Sequence, residues 1–277
     1  MSSASLATRA PVLPPPGGKA GFGGALASEW TKIRSVRSTW WLIPMVVVGT
    51  LGISYLGARA TYINLLNNSG PRTFQAPNIT GMLSGVLLGQ LVIVVFGAIG
   101  IASEYSTGMI RTTLSVQPRR ATVYFAKLAV LAVFCLVVSE ALSFAAFFIG
   151  NAVISPAGYT FSLSNSADLV AVLGAGLYLT GCALLAFGLG AFFRNTAAGI
   201  AVPLALLLVL EIIGGLMPQD IQDALLRYIP MEAGIQMLST IHTPGHDLSA
   251  GHGFEVFFAW VLAAVLAGFW AFTRRDA

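Results

Sequence analysis

Charge is scarce in this chain. Fifteen Lys and Arg and eleven Asp and Glu make up only 9% of its 277 residues. Soluble globular domains carry roughly a quarter charged residues. A surface facing water cannot be covered with so few. Soluble enzymes, disordered chains and collagen-like fibres are therefore excluded. Cysteine is equally sparse: Cys135 and Cys182 both fall inside apolar runs and read as small buried hydrophobes. They give no disulfide framework and no CxxC motif. Also missing are a GxxxxGK[ST] phosphate loop, an HExxH zinc helix and a GxSxG nucleophile turn. The histidines, His242, His246 and His252, crowd one late loop without the ordered ligands of a metal site. No basic soluble domain is present to bind nucleic acid.

What is abundant is apolar sequence. Hydrophobic residues reach 56%, and mean hydropathy is +0.80. They are gathered into long, nearly uncharged runs, as a bilayer about 30 Å thick requires. Only helices or closed barrels satisfy every backbone group in lipid. The runs are continuous rather than alternating, which rejects the barrel. The expected fold is an all-α polytopic membrane protein with six spans. They lie near 40–56, 82–102, 124–149, 169–193, 197–217 and 254–272. Arg194-Asn195-Thr196 leaves only a tight hairpin between spans four and five. Pro203 predicts a kink in the fifth.

The domain organisation follows. Residues 1–23 are rich in Pro, Gly and Ser and predict a disordered tail without the apolar core of a secretory signal. Residues 24–38 predict an amphipathic helix lying in the membrane interface. Leu26, Trp30 and Ile33 share one face, with Glu29, Lys32, Arg34 and Arg37 largely off it. Residues 39–277 hold the six spans. Of the fifteen Lys and Arg, only Arg59, Arg72 and Arg227 fall on the far side, so twelve share the side of the N-terminus. Cations accumulate in cytoplasmic loops, which predicts both termini inside.

Two carboxylates stand inside apolar runs, Glu140 in the third span and Glu211 in the fifth. Such residues are costly in lipid and are candidates for a proton or substrate path, or for an interhelical hydrogen bond. Gly81, Gly85 and Gly89 form a stripe that lets a helix of this chain or of a second copy approach closely. The connection after the second span mixes Glu104, Tyr105 and Arg111 with Met109, Ile110 and Leu114. It is a plausible docking surface for a cytosolic partner. If it is helical throughout, Glu104 and Arg111 lie two turns apart on one face, with Met109 and Ile110 as an apolar anchor between them.

Two segments carry a resemblance. They are Ser28-Glu-Trp-Thr-Lys-Ile-Arg-Ser-Val-Arg-Ser-Thr-Trp-Trp41 and Glu104-Tyr-Ser-Thr-Gly-Met-Ile-Arg-Thr-Thr-Leu114. Over about residues 25–275 the chain resembles the permease subunits of type-2 (ABC-2) ABC transporters, in the bacterial branch where the permease is a separate chain. The family's acidic loop motif, Glu followed after a few residues by Gly-Thr, runs here from Glu104 to Gly108, with Met109 in place of Thr. The resemblance implies a non-catalytic membrane subunit of an exporter in a bacterial cell membrane. It implies a dimer with a second copy or close paralogue. It also implies cytosolic ATPase partners that hold ATP and Mg, this chain carrying no cofactor of its own. Coupling would fall to Glu104, Tyr105, Gly108, Met109, Ile110 and Arg111, with Glu29, Trp30, Lys32 and Arg34 on the interfacial helix. A short helical hairpin around Pro230 and Glu232 would cap the outer leaflet. The alternative reading is a proton-coupled transporter or channel using Glu140 and Glu211.

Overall fold

The computed structural model describes residues 21–67, 78–218, 221–222, 224, 226–240 and 248–275. The Pro-rich tail and Arg9, Lys19, Arg72, Asp220, Asp223, Leu225, His242, His246 and Asp247 lie outside them, as does the side chain of Arg37. The described residues form helices and connecting turns, with no strand among them. Six helices are long and apolar enough to cross a membrane, as the sequence predicted.

The chain begins with α1 (Phe22–Ser35) and turns at Val36 into α2 (Arg37–Asn67). Trp40 braces that elbow by donating its indole N–H to the Arg34 carbonyl, 3.1 Å away. The second span is α3 (Val86–Ser106), followed by the short α4 (Met109–Val116) and then by α5 (Arg120–Ile154). α6 (Ser166–Phe193) ends with Arg194 in the left-handed region, φ 55°, and Asn195 caps the next helix by accepting from the Ala198 N–H. These two residues close the tight hairpin. The fifth span is built from α7 (Thr196–Leu204), a π-helical turn at Ala205–Val209, and α8 (Leu210–Gly215). The expected disturbance at Pro203 thus takes the form of a widened turn just beyond it. After α9 (Pro230–Gln236), the chain ends in α10 (Ala250–Arg274).

The first span is longer than the sequence indicated. The apolar run thins near Leu56, yet helix continues to Asn67 through Arg59, Tyr62 and Asn64. Polar side chains end an apolar run without ending the backbone hydrogen bonding of a helix.

α6 is the axis of the bundle and packs against α3, α5 and α10. Its core window is 72% buried, against 22% in the first and fifth spans, which stand at the periphery. Close approach explains the density of small residues in α3. A Cβ on Gly97 would sit 2.1 Å from the Ala183 carbonyl oxygen of α6. The stripe of Gly81, Gly85 and Gly89 faces α2 of the same chain. A Cβ on Gly85 would overlap the Thr50 carbonyl at 1.8 Å. The stripe is used internally, not offered to a second copy.

Candidate coupling face and its buried charge cluster

Apart from Arg59 and Arg227, the described basic residues belong to the end of the bundle where α1 lies against α5. Four of the charges there are not on the surface. Glu29 of α1, Glu104 at the end of α3 and Lys127 in α5 are buried, and Lys32 of α1 is half-buried. Lys127 Nζ donates to Glu29 Oε2 at 2.8 Å and to Glu104 Oε1 at 2.5 Å. Lys32 Nζ donates to Glu29 Oε1 and to Glu104 Oε1, both at 2.8 Å. Carboxylates and ammonium groups alternate around a ring, and each carboxylate meets both cations. The ring ties three helices together.

Local sequence explains how the charges come inside. Gly97, Ile101 and Glu104 recur at i, i+4, i+7 on the buried face of α3. Val123, Lys127, Val130 and Leu131 do the same on α5. A buried charge is tolerated only when paired and hydrogen-bonded. Burial alone would drive the Lys32 proton off, but the hydrogen bonds to Glu104 and Glu29 outweigh it and hold this ammonium above its ordinary value of 10.5.

Several expectations are corrected here. The buried face of α1 carries Glu29, while Trp30 is exposed and meets Phe134 edge-on. Glu29 and Lys32 therefore face the protein beside Ile33, where Lys127 meets Glu29, while Arg34 is exposed. Glu104 faces the core instead of a partner. It also does not share a helix with Arg111. The chain breaks at Thr107–Gly108, where Gly108 takes φ 72°, a conformation that a side chain disfavours. Arg111 lies exposed on α4. Ile110 is buried in this chain's own core, so of the two expected anchors only Met109 is exposed. Tyr105 is partly buried, edge-on to Phe272 of α10, with the Arg194 guanidinium 5.1 Å from its ring centre.

Lys127 was missed at the sequence level, where it counted only as a topological cation. Its position on the same helical face as Val123 and Leu131 was the available signal. Arg120 and Arg194 were missed in the same way. Arg120 donates to the Arg275 carbonyl at 2.6 Å, and Arg194 to those of Ala271 and Arg275 at 2.8 and 3.0 Å. Together they add donors to the carbonyl-bearing end of α10, where helix carbonyls run short of backbone partners.

α4 is anchored to the bundle by Ile110 and Leu114 and turns its other side outward. Beyond Ile110 it exposes Met109, Arg111, Thr112, Ser115 and Val116, the last 73% exposed. A groove of about 470 Å³ runs between α1 and α4, lined by Ala25, Ser28, Met109, Thr113 and Val116. A second cavity, of about 190 Å³, lies deeper, over the charge ring.

Residues 25–214 match the family model of the ABC-2 family transporter proteins. The chain belongs to the ABC-2 transporter family. No curated protein matches the chain. The match takes in most of α1, the charge ring, the first four spans and nearly all of the fifth in this ABC-2 protein.

The remaining singled-out residues of this ABC-2 protein lie away from that face. The Glu140 carboxylate packs on Gly176 of α6, and its Oε2 is buried without a hydrogen-bond partner. Glu211 of α8 likewise has a buried, unpartnered Oε2. Pro230 opens α9, and Glu232 accepts from Gln236 at 2.7 Å. Met231, Met237 and Leu238 are buried, and Trp260 of α10 donates to the Tyr228 carbonyl, so α9 is fastened to the bundle. His252 sits in the first turn of α10 beside Ser249. Among the described residues, no three His, Cys, Asp or Glu side chains converge as metal ligands.

Proposed function

We propose that this chain is the permease subunit of an ATP-driven ABC exporter, forming the translocation path and driven by separate cytosolic ATPase subunits. Those partners hold ATP and Mg, and this subunit performs no chemistry itself. It works beside a second copy or close paralogue in a bacterial cell membrane, with both termini in the cytoplasm.

The observation that carries this reading is the pairing of an outward-facing amphipathic helix with an internal brace. α4 offers Met109 and Val116 beside an open groove. One residue behind it, Gly108 leads into α3, whose Glu104 is bonded to α1 and α5. A push on α4 would then reach three helices together. Rigid elements joined by buried charge pairs move as one body, since parting them strands a charge. Twelve of fifteen cations on this side support a cytoplasmic placement.

The test is co-purification. Met109→Asp with Val116→Asp places two charges on the exposed face of α4 without touching the core. The ATP-hydrolysing partner should be lost from the purified complex while the permease folds at parental yield. Full retention of the partner by the double variant would refute the docking role.

A second reading rests on the buried, unpartnered carboxylate oxygens of Glu140 and Glu211. As proton carriers they would make transport depend on a pH gradient. Transport that survives Glu140→Gln and Glu211→Gln, and follows ATP alone, would dispose of it.

A further inference from the structure

The cavity beneath the α1–α2 elbow combines two surfaces. Ile33, Phe96, Ile99, Val130 and Leu131 give it apolar walls, and the ring of Glu29, Lys32, Glu104 and Lys127 gives it a charged floor. At about 190 Å³ it exceeds the roughly 150 Å³ apolar cavity known to accept benzene. Its lining residues Val36, Thr107 and Met109 are exposed, so it is open at the level of α1. Trp30 and Trp40 are also exposed there, and tryptophan favours head-group depth.

Two features of the floor are unused. Glu104 is 6% exposed, and its Oε2 accepts from no donor. Lys32 spends two protons on carboxylates, and its third is open to an acceptor. The floor as a whole is neutral, two carboxylates against two ammonium groups. A lipid head of net negative charge would face both carboxylates. A quaternary ammonium has no N–H to give Glu104.

We propose that this cavity binds a zwitterionic phospholipid of the adjacent leaflet whose head group carries a primary ammonium. The ammonium donates to Glu104 Oε2, the oxygen left over while Oε1 keeps its bonds to Lys32 and Lys127. The phosphate accepts from Lys32 Nζ. The start of one acyl chain lies between Phe96, Ile99 and Leu131. Bound lipid would wedge the elbow against α3 and α5 and complete the hydrogen bonding of a buried carboxylate, which is costly to leave unmet. The inference needs only the membrane setting and stands apart from any ATPase.

The full chain, stripped of lipid in detergent, is offered phosphatidylethanolamine, phosphatidylcholine or phosphatidylglycerol, and bound lipid is counted by native mass spectrometry. Phosphatidylethanolamine should be retained about tenfold better than the other two, the worth of one charge-assisted hydrogen bond. Glu104→Gln should erase the preference. Gly100→Leu should empty the site while leaving the charges alone, since a Cβ there meets only Leu131 side-chain atoms, at 3.7 and 4.0 Å. This second variant keeps the test open should Glu104→Gln not fold. Equal retention of all three lipids overturns the proposal, as does a preference for phosphatidylglycerol. Parental retention by folded Gly100→Leu also overturns it.

Discussion

Lys127→Met removes one ammonium from the ring and keeps most of the side-chain volume. The side chain is only 2% exposed, and it binds both carboxylates. Without it, Glu29 and Glu104 are left with Lys32 as their shared cation, and two negative charges face each other across the α1–α3 junction. Removing one partner from a buried ion pair typically costs about 3–5 kcal/mol, because the other charge stays behind. Against a total stability of about 5–15 kcal/mol, that is a large fraction. Thermal unfolding in detergent should drop by roughly 6–20 °C, taking about 2–4 °C per kcal/mol for a chain of this size. Charge stranding and lost packing are separable. Adding Glu104→Gln restores neutrality and should recover more than half of the loss, and the cycle of single and double variants measures the coupling. Acidification should also lessen the defect of the single variant, because a protonated carboxyl needs no cation. A Lys127→Met protein that melts within about 1 °C of the parent, or a double variant as unstable as the sum of the singles, would refute the assignment of the ring as a brace.

Three further outcomes follow from the geometry. Gly97→Leu should abolish folded protein in size-exclusion profiles, since even a Cβ lies 2.1 Å from the Ala183 carbonyl; normal yield would mean that α3 and α6 are not in contact. Glu140→Gln should assemble normally, whereas Glu140→Lys, which puts a cation in mid-bilayer at a cost of at least about 2.5 kcal/mol, should lower the yield; equal yields would argue against burial of that carboxylate. The Lys32 ammonium is held above its ordinary value of 10.5, so its contribution is fully present below about that pH and is lost as pH rises through the higher folded-state value. Protease cleavage at the α1–α2 elbow should therefore stay constant from neutral pH to about 10 and increase only beyond it.

The six spans were legible because one physical requirement, enough apolar length to cross lipid, writes itself into consecutive residues. The hairpin at Arg194–Thr196 was legible for the same local reason. The inward turn of Glu104 was harder. Within its own neighbourhood, Ala102–Arg120, it looks like one more polar residue among Ser, Tyr and Arg. Its burial is decided by Lys127, 23 residues later, and by Lys32, 72 residues earlier, and no local pattern registers a pairing across that separation. The break at Gly108 was written in the sequence as a glycine. The shared face of Glu104 and Arg111 was conditional on a helix running through the segment, and Gly108 removes that condition. Glu140 stood out in the sequence because a carboxylate is rare in an apolar run. The close contact with Gly176 depends on how α5 and α6 are rotated, which composition does not record.

The wide turn at Ala205–Val209 gives the fifth span a form of slack. A π turn holds about one residue more than an α turn, so everything after it is rotated by about 100° relative to an unbroken helix. In most spanning helices, losing one residue swings the downstream half onto the wrong face. Here a deletion within 205–209 can be absorbed by tightening the turn to ordinary α geometry. The half after the turn, with Glu211 and Ile212, would then keep its facing, and only the turn itself would change. The fifth span can thus lose one residue here without re-aiming the half that carries Glu211, while the half before the turn is held by Asn195 and the tight hairpin.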